Sequence, residues 1–182
     1  MHRVQVLDAR GITRALERIA AELVEKVADE KLLYLVGVQT RGVPLARRLA
    51  QALAATTGAQ PPVGALDISL YRDDVGPWRA AHQQPVLHAT DLPHSIDGRV
   101  ICLVDDVLYT GRTVRAALDT LMDYGRPQAI RLVVLVDRGH RELPIAADYV
   151  GRTVPTARDE DVQVRLRESD GEEGVWIAKE VA

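Results

Sequence analysis

The chain has 182 residues, 47% of them hydrophobic and 27% charged, with a net charge of −3. These values suit one globular domain with an ample core and exclude a disordered or fibrous chain. No apolar run is long enough to span a membrane, Met1–Val4 lacks a signal-peptide layout, and the lone Cys102 permits no internal disulfide. A cytoplasmic location is therefore expected. An acidic balance does not advertise nucleic-acid binding, though it leaves room for a local basic face. Lys stands only at positions 26, 31 and 179, so most positive charge is guanidinium.

In chain order, Ile12, Leu16, Ile19, Ala20, Leu23, Val24 and Val27 recur at helical spacing and predict a helix over Ile12–Ala28. Leu32–Val38 is a continuous apolar run, as in a strand covered on both faces. Pro44 suits a first helical turn, Leu45, Leu49 and Leu53 continue it, and Gly58 stops it. Val63–Tyr71 and Val100–Val104 read as strands, a helix follows Thr113 to about Gly125, and Ile130–Val136 is a further strand. Asp137–Gly151 reads as a loop and short strand, and Val162–Leu166 and Val175–Ala178 as strands of a small antiparallel appendage. Strands alternating with helices predict an α/β fold with a mainly parallel sheet. Arg72–Gly98 is long, polar and without period, the mark of a functional or disordered loop. There is no internal repeat, so the expected organisation is one domain over 1–182, with a flexible loop at about 71–98 and a hood at about 137–182.

The most informative stretch is the strand Val100–Val104 followed by Asp105-Asp106-Val107-Leu108-Tyr109-Thr110-Gly111-Arg112-Thr113. Successive strand residues point to opposite sides, so the two carboxylates address different parts of one ligand. Gly111 lets backbone approach closely, and free N–H groups at a helix start attract an anion. Together these parts suit a molecule with sugar hydroxyls and a phosphate. Two blander readings compete. Gly37 and Gly42 have P-loop spacing, but Val43-Pro44 stand where a P-loop has Lys and Ser or Thr, so that reading fails. An ordinary turn capped by Thr110 would not account for the acidic pair and Thr-Gly-x-Thr together. The five His lack metal-site spacing, and Cys102, inside an apolar strand, is expected to be a small core residue.

The run from Val100 to Thr113 resembles the phosphoribosyl-diphosphate (PRPP) signature of the type I phosphoribosyltransferases. Thr40-Arg41-Gly42 stands where those enzymes place a diphosphate loop, and Leu66–Asp74 where they place a flexible loop. Val136–Pro144 and Ala147–Gly151 are similar to the bacterial pyrimidine-operon attenuation family, whose members are also uracil phosphoribosyltransferases. The resemblance implies a type I phosphoribosyltransferase fold, with twisted sheet, flanking helices and hood, and formation of UMP and diphosphate from uracil and PRPP with Mg²⁺. Asp105 and Asp106 would hold the ribose hydroxyls, with Mg²⁺ nearby. Val107, Leu108, Tyr109, Thr110, Gly111, Arg112 and Thr113 would line the PRPP or UMP site. Thr40, Arg41 and Gly42 would grip diphosphate, Arg41 by its planar fork. Tyr71 and Arg72 would close the flexible loop, and backbone near Val136, Asp137 and Arg138 would read uracil. Tyr109 replaces the Asp of the hypoxanthine–guanine enzymes and argues against a purine. No residue stands out as a general base. His140, Arg141 and Glu142 suit either a loop brace or an RNA surface.

The same resemblance implies a UMP-responsive regulator that binds pyrimidine-operon leader RNA, as a homodimer or higher homo-oligomer. Candidate RNA contacts are Arg14, Arg18, Arg141 and Arg152. The chain departs from the family there, with Glu17, Ala21 and Ala146 where RNA-binding members carry Thr, His and Arg. The rival readings are an attenuator or nucleotide sensor with little catalysis, and an enzyme without RNA regulation.

Overall fold

The computed structural model describes residues 2–27, 29–69 and 89–179. The order is β1 (His2–Leu7), α1 (Ala9–Lys26), a 3-10 turn (Glu30–Leu32), β2 (Leu33–Val38), α2 (Gly42–Thr57) and β3 (Val63–Leu66). Then follow β4 (Val100–Leu108), α3 (Arg112–Met122), β5 (Ala129–Asp137), β6 (Tyr149–Thr153), β7 (Glu160–Arg165), α4 (Arg167–Asp170) and β8 (Gly174–Lys179).

Strands β2 to β6 form one parallel sheet in the order β3-β2-β4-β5-β6. Its period-two alternation separates two cores. Leu33, Leu35, Cys102, Val104, Val133 and Leu135 pack with α1 and α2. Tyr34, Val36, Val38, Ile101, Leu103, Leu132 and Val134 pack on the other face with Val114, Ala117 and Leu121 of α3. Both faces are covered, which is why these strands read as unbroken apolar runs. Cys102 is a core residue as expected, its thiol pushed up to about 12 by burial.

Asp8 caps α1, accepting from Gly11 N at 2.7 Å, so the helix starts before Ile12. Gly58 ends α2 with φ 77°, in the left-handed region that favours glycine. The expected strand to Tyr71 is shorter. Asp67 accepts from both Ser69 N and Ser69 Oγ, turning the chain after Leu66. Strand β4 is longer than its apolar run, because β5 pairs with it as far as Leu108↔Asp137 while β2 stops opposite Val104.

A second, antiparallel sheet has the order β1-β8-β7. Its Val162, Val164 and Val175 join the core under α1 and α2. The appendage expected from the C-terminal third thus takes an edge strand from His2–Leu7. Among the described residues, no helix is long and apolar enough to cross a membrane.

Candidate functional site

From β2 the chain runs outward to β3; from β4 it runs through β5 to β6 on the other side. The sheet therefore reverses direction between β2 and β4. Ligands of open parallel sheets sit beyond the carboxyl ends of the strands at such a point. Two loops meet there. A Cβ on Gly42 would strike the carbonyl oxygen of Val104 and lie 3.4 Å from Asp105 Cα. One on Gly37 would lie 2.5 Å from Gly42 O and Val43 Cα. The loop after β2, which contains a cis Gln39–Thr40 peptide, thus folds back on its own strand and presses against β4 where the carboxylates begin.

Arg41 opens α2, and exposed Thr40 precedes it. The Arg41 guanidinium donates from Nε to Asp170 Oδ2 at 3.0 Å and from Nη2 to Asp170 Oδ1 at 2.7 Å. That bond, with the Asp106 charge nearby, holds Arg41 firmly protonated. Asp170 also accepts from Leu166 N at 2.9 Å and Arg165 Nη1 at 3.2 Å. Its carboxyl is held at about 2, chiefly by Arg41. Because that value lies below the usual ~4 of an unfolded carboxylate, its stabilisation is complete above pH ~4 and fades as pH falls toward 2. Asp170→Asn is therefore expected to lower the melting temperature at pH 7. The difference from wild type should shrink as calorimetric scans move from pH ~4 to ~2.

Asp105, 6% exposed, accepts the Asp106 N–H at 2.9 Å, and half-buried Asp106 accepts Val107 N at 2.9 Å. Burial pushes the Asp106 carboxyl up, opposed by Arg41 and by a hydrogen bond shared with Asp105. Beyond Leu108 the chain turns at Gly111, φ 94°, into α3. The first bond of that helix runs from Arg115 N to Gly111 O, so the N–H groups before it point out of its open end. Thr110 Oγ accepts Arg112 N at 3.3 Å, and Thr113 is half-buried at the start of the helix.

The loop after β5 braces this turn. Glu142 N and Leu143 N donate to Thr110 O, and Arg112 Nε donates to Glu142 Oε2 at 2.7 Å. Arg141 donates to Asp137 Oδ2, to Ile145 O and to Tyr109 O at 2.8 Å. Its guanidinium is bonded to these oxygens beside the turn, the loop-brace alternative of its two expected places. His140 Nε2 lies 2.6 Å from Thr156 O, and its ring meets Tyr109 edge-on at 6.0 Å. The Arg138 guanidinium lies 4.1 Å from the Tyr109 ring centroid and donates to Thr156 Oγ, Ala157 O and Glu160 O.

The backbone expected to read uracil is largely engaged in the sheet. Val136 is fully buried between Val107 and Arg152; Asp137 O accepts from Val154 N, and Arg138 N donates to Leu108 O. Beyond the strand, Gly139 N donates to Asp137 Oδ1 at 2.9 Å, and the chain turns with Gly139 at φ 78° and His140 at φ 60°. Of the remaining RNA candidates, Arg18 donates to Val150 O and Gly151 O, and Arg152 to Val6 O at 3.0 Å. Arg14, exposed, and Arg18 stand on α1, and Arg152 on β6. Tyr71 and Arg72 lie outside the described residues. Sequence reasoning missed Asp170 and Thr156. A concavity of about 350 Å³ lined by Lys26, Asp29, Gln128, Arg131 and Tyr149 sits at the opposite end of the strands and contains none of the site residues.

Residues 2–167 match the phosphoribosyl transferase domain family. The chain is 57% identical to the bifunctional protein PyrR of Pelotomaculum thermopropionicum, covering 96% of this chain and 95% of that protein. It is 50% identical to PyrR of Enterococcus faecalis, covering 98% of each. Among solved structures it is similar to a hypoxanthine-guanine phosphoribosyltransferase of Bacillus anthracis, with TM-score 0.72, 15% identity and coverage of 96% and 98%. A hypoxanthine phosphoribosyltransferase of Staphylococcus aureus gives TM-score 0.69, 20% identity and coverage of 97% and 91%. At those identities the two structures bear on the fold alone, which is the type I phosphoribosyltransferase fold. The chain belongs to the phosphoribosyl transferase domain family and, within it, to the family of the bifunctional PyrR proteins.

Proposed function

We propose that this chain transfers the phosphoribosyl group of PRPP to uracil, releasing diphosphate, and that its UMP-bound form regulates pyrimidine-operon transcription through leader RNA. The observation that carries the reading is the meeting of Arg41, the Asp105–Asp106 pair and the open end of α3 at the reversal point of the sheet. The name of the relatives, bifunctional protein PyrR, supports its two-part form.

In the reaction the bond from the ribose anomeric carbon to diphosphate breaks and a bond to uracil N1 forms, with loss of the N1 proton. Positive charge grows on the ribose ring and negative charge on the leaving group. Asp105 and Asp106 face the ribose hydroxyls and the growing positive charge, and Arg41 the diphosphate. The N–H groups of Gly111 to Val114, with the Thr110 and Thr113 hydroxyls, hold the 5′-phosphate at the helix start. Two adjacent carboxylates suit Mg²⁺, which takes one or two carboxylates with phosphate oxygens. Bound there with PRPP, Mg²⁺ would neutralise leaving-group charge. The base lies along Gly139–His140, beside the Tyr109 ring that Arg138 holds. We read the chain as one domain of core and hood, acting in the cytoplasm as a homodimer or higher homo-oligomer.

The test is a panel of uracil, hypoxanthine and orotate with PRPP and Mg²⁺, following diphosphate release. Uracil is expected to be turned over in strong preference. Preference for either other base would overturn the substrate, and UMP binding without turnover of any base would leave a nucleotide sensor. Arg41→Ala should raise the KM for PRPP about 10-fold or more with little change in that for uracil. Normal PRPP kinetics would remove Arg41 from the diphosphate site. For RNA, affinity for the cognate leader hairpin is expected to rise with UMP and to fall in Arg14→Ala with Arg18→Ala and Arg152→Ala. Equal affinity for a scrambled hairpin, unaffected by UMP, would leave an enzyme alone.

A further inference from the structure

We propose that Asp170, a carboxylate of the hood, is the positioning residue that aims Arg41 at the diphosphate of the ribosyl donor. The inference rests on the functional reading above and deepens it. A guanidinium has two edges that bind an anion with paired N–H groups: the side edge of Nε and Nη2, and the end edge of Nη1 and Nη2. Asp170 takes the side edge, with bonds of 3.0 and 2.7 Å. No hydrogen bond from Nη1 reaches a described residue. The end edge is left for a second anion, with the planar group fixed in orientation.

Asp170 is itself held firmly. Its side chain is 7% exposed and takes Leu166 N and Arg165 Nη1 as well as Arg41. Arg48, seven residues along α2 from Arg41, pins the same hood turn through Glu168 and Glu173. A carboxylate fixed on one side therefore sets the direction of a cation whose other side faces the cleft. Asp106 is the other carboxylate whose charge acts on Arg41. Without Asp170, the guanidinium is free to turn toward Asp106 and to neutralise the group meant for the ribose. Asp170 thus acts through Arg41 and touches no substrate.

The test is a double-mutant cycle in the full-length protein, with PRPP and uracil kinetics measured separately. Asp170→Asn is expected to lower kcat/KM for PRPP about 10-fold and to leave the KM for uracil within about twofold. In the Arg41→Ala background the same change should have less than about a twofold effect, because its only route is gone. An undiminished effect there, or unchanged PRPP kinetics in Asp170→Asn, would overturn the inference. Arg3→Gln removes an ion pair of the hood that does not touch Asp170, that of Arg3 with Glu172, and is expected to leave PRPP kinetics unchanged. An equal loss in Arg3→Gln would mean that hood stability alone is at work. If Asp170→Asn does not fold, Asp170→Glu keeps the charge but displaces the guanidinium, and normal PRPP kinetics would again overturn the inference. If the wild type makes no UMP, the substrate reading fails by itself. Calorimetric binding of PRPP to the same variants then decides on Asp170, weaker binding in Asp170→Asn supporting it and equal binding overturning it.

Discussion

Replacing Asp105 and Asp106 together by Asn is expected to lower UMP formation by about 100-fold or more while leaving the protein folded. The size follows from charge: groups preorganised against developing charge in a partly dry cleft contribute about 10²–10³-fold each. Asn keeps the shape and an acceptor oxygen, so Asp106 N and Val107 N retain partners. What is lost is the pair of negative charges facing the ribose and any Mg²⁺ held with PRPP. Both residues stand at the end of the strand outside the two apolar cores, so the substitution should cost little stability. Initial rates with saturating uracil, together with a thermal melt, check both halves. Near-normal turnover would remove the acidic pair from the chemistry, and loss of the folded state would make it structural.

Gly42→Ala is expected to impair both stability and PRPP use. The added methyl meets the Val104 carbonyl oxygen, with Val104 C at 3.3 Å and Asp105 Cα at 3.4 Å. These atoms belong to a strand paired on both sides and cannot retreat as a flexible side chain would. The loop after β2 must lift instead and carries Arg41 with it. Overpacking of this kind costs about 1–3 kcal/mol. A displacement of about 1 Å at a binding group lowers kcat/KM about 100-fold. A melt and PRPP kinetics on the same preparation test the linkage. A wild-type melting temperature with wild-type PRPP kinetics would mean that the two loops do not touch as described.

The parallel core was legible because each of its central strands buries both faces and therefore reads as an apolar run. The end of β4 was not, since Asp105-Asp106-Val107-Leu108 stops the apolar pattern while the ladder to β5 continues. How far a ladder runs depends on the length of its neighbour, which no local pattern records. Strand β1 was missed for a similar reason: His2–Leu7 is short, and its partner β8 lies at the far end of the sequence. Within the site, the acidic pair, Thr110–Thr113 and Arg41 stand in a recognisable order. Asp170 sits 129 positions from Arg41 amid Glu168, Glu172 and Glu173, and nothing nearby marks which acid meets the guanidinium. Arg141 was ambiguous because its inward contacts depend on a loop whose bend, with His140 at φ 60°, is not readable from residue type.

The pairing of β1 with β8 also orders events on the ribosome. The five strands of the parallel sheet are all made by Thr153, so that layer and its helices have what they need to assemble early. Among the described strands His2–Leu7 is made before the others, yet its partner is not synthesised until Gly174–Lys179. Until then the segment lacks the ladder partner it has in the fold, and an unpaired strand is open to pairing with another chain. The charged and polar His2, Arg3 and Gln5 interrupt its apolar residues and make it a poor template for such pairing. Of the described strands, the earliest made waits for the latest.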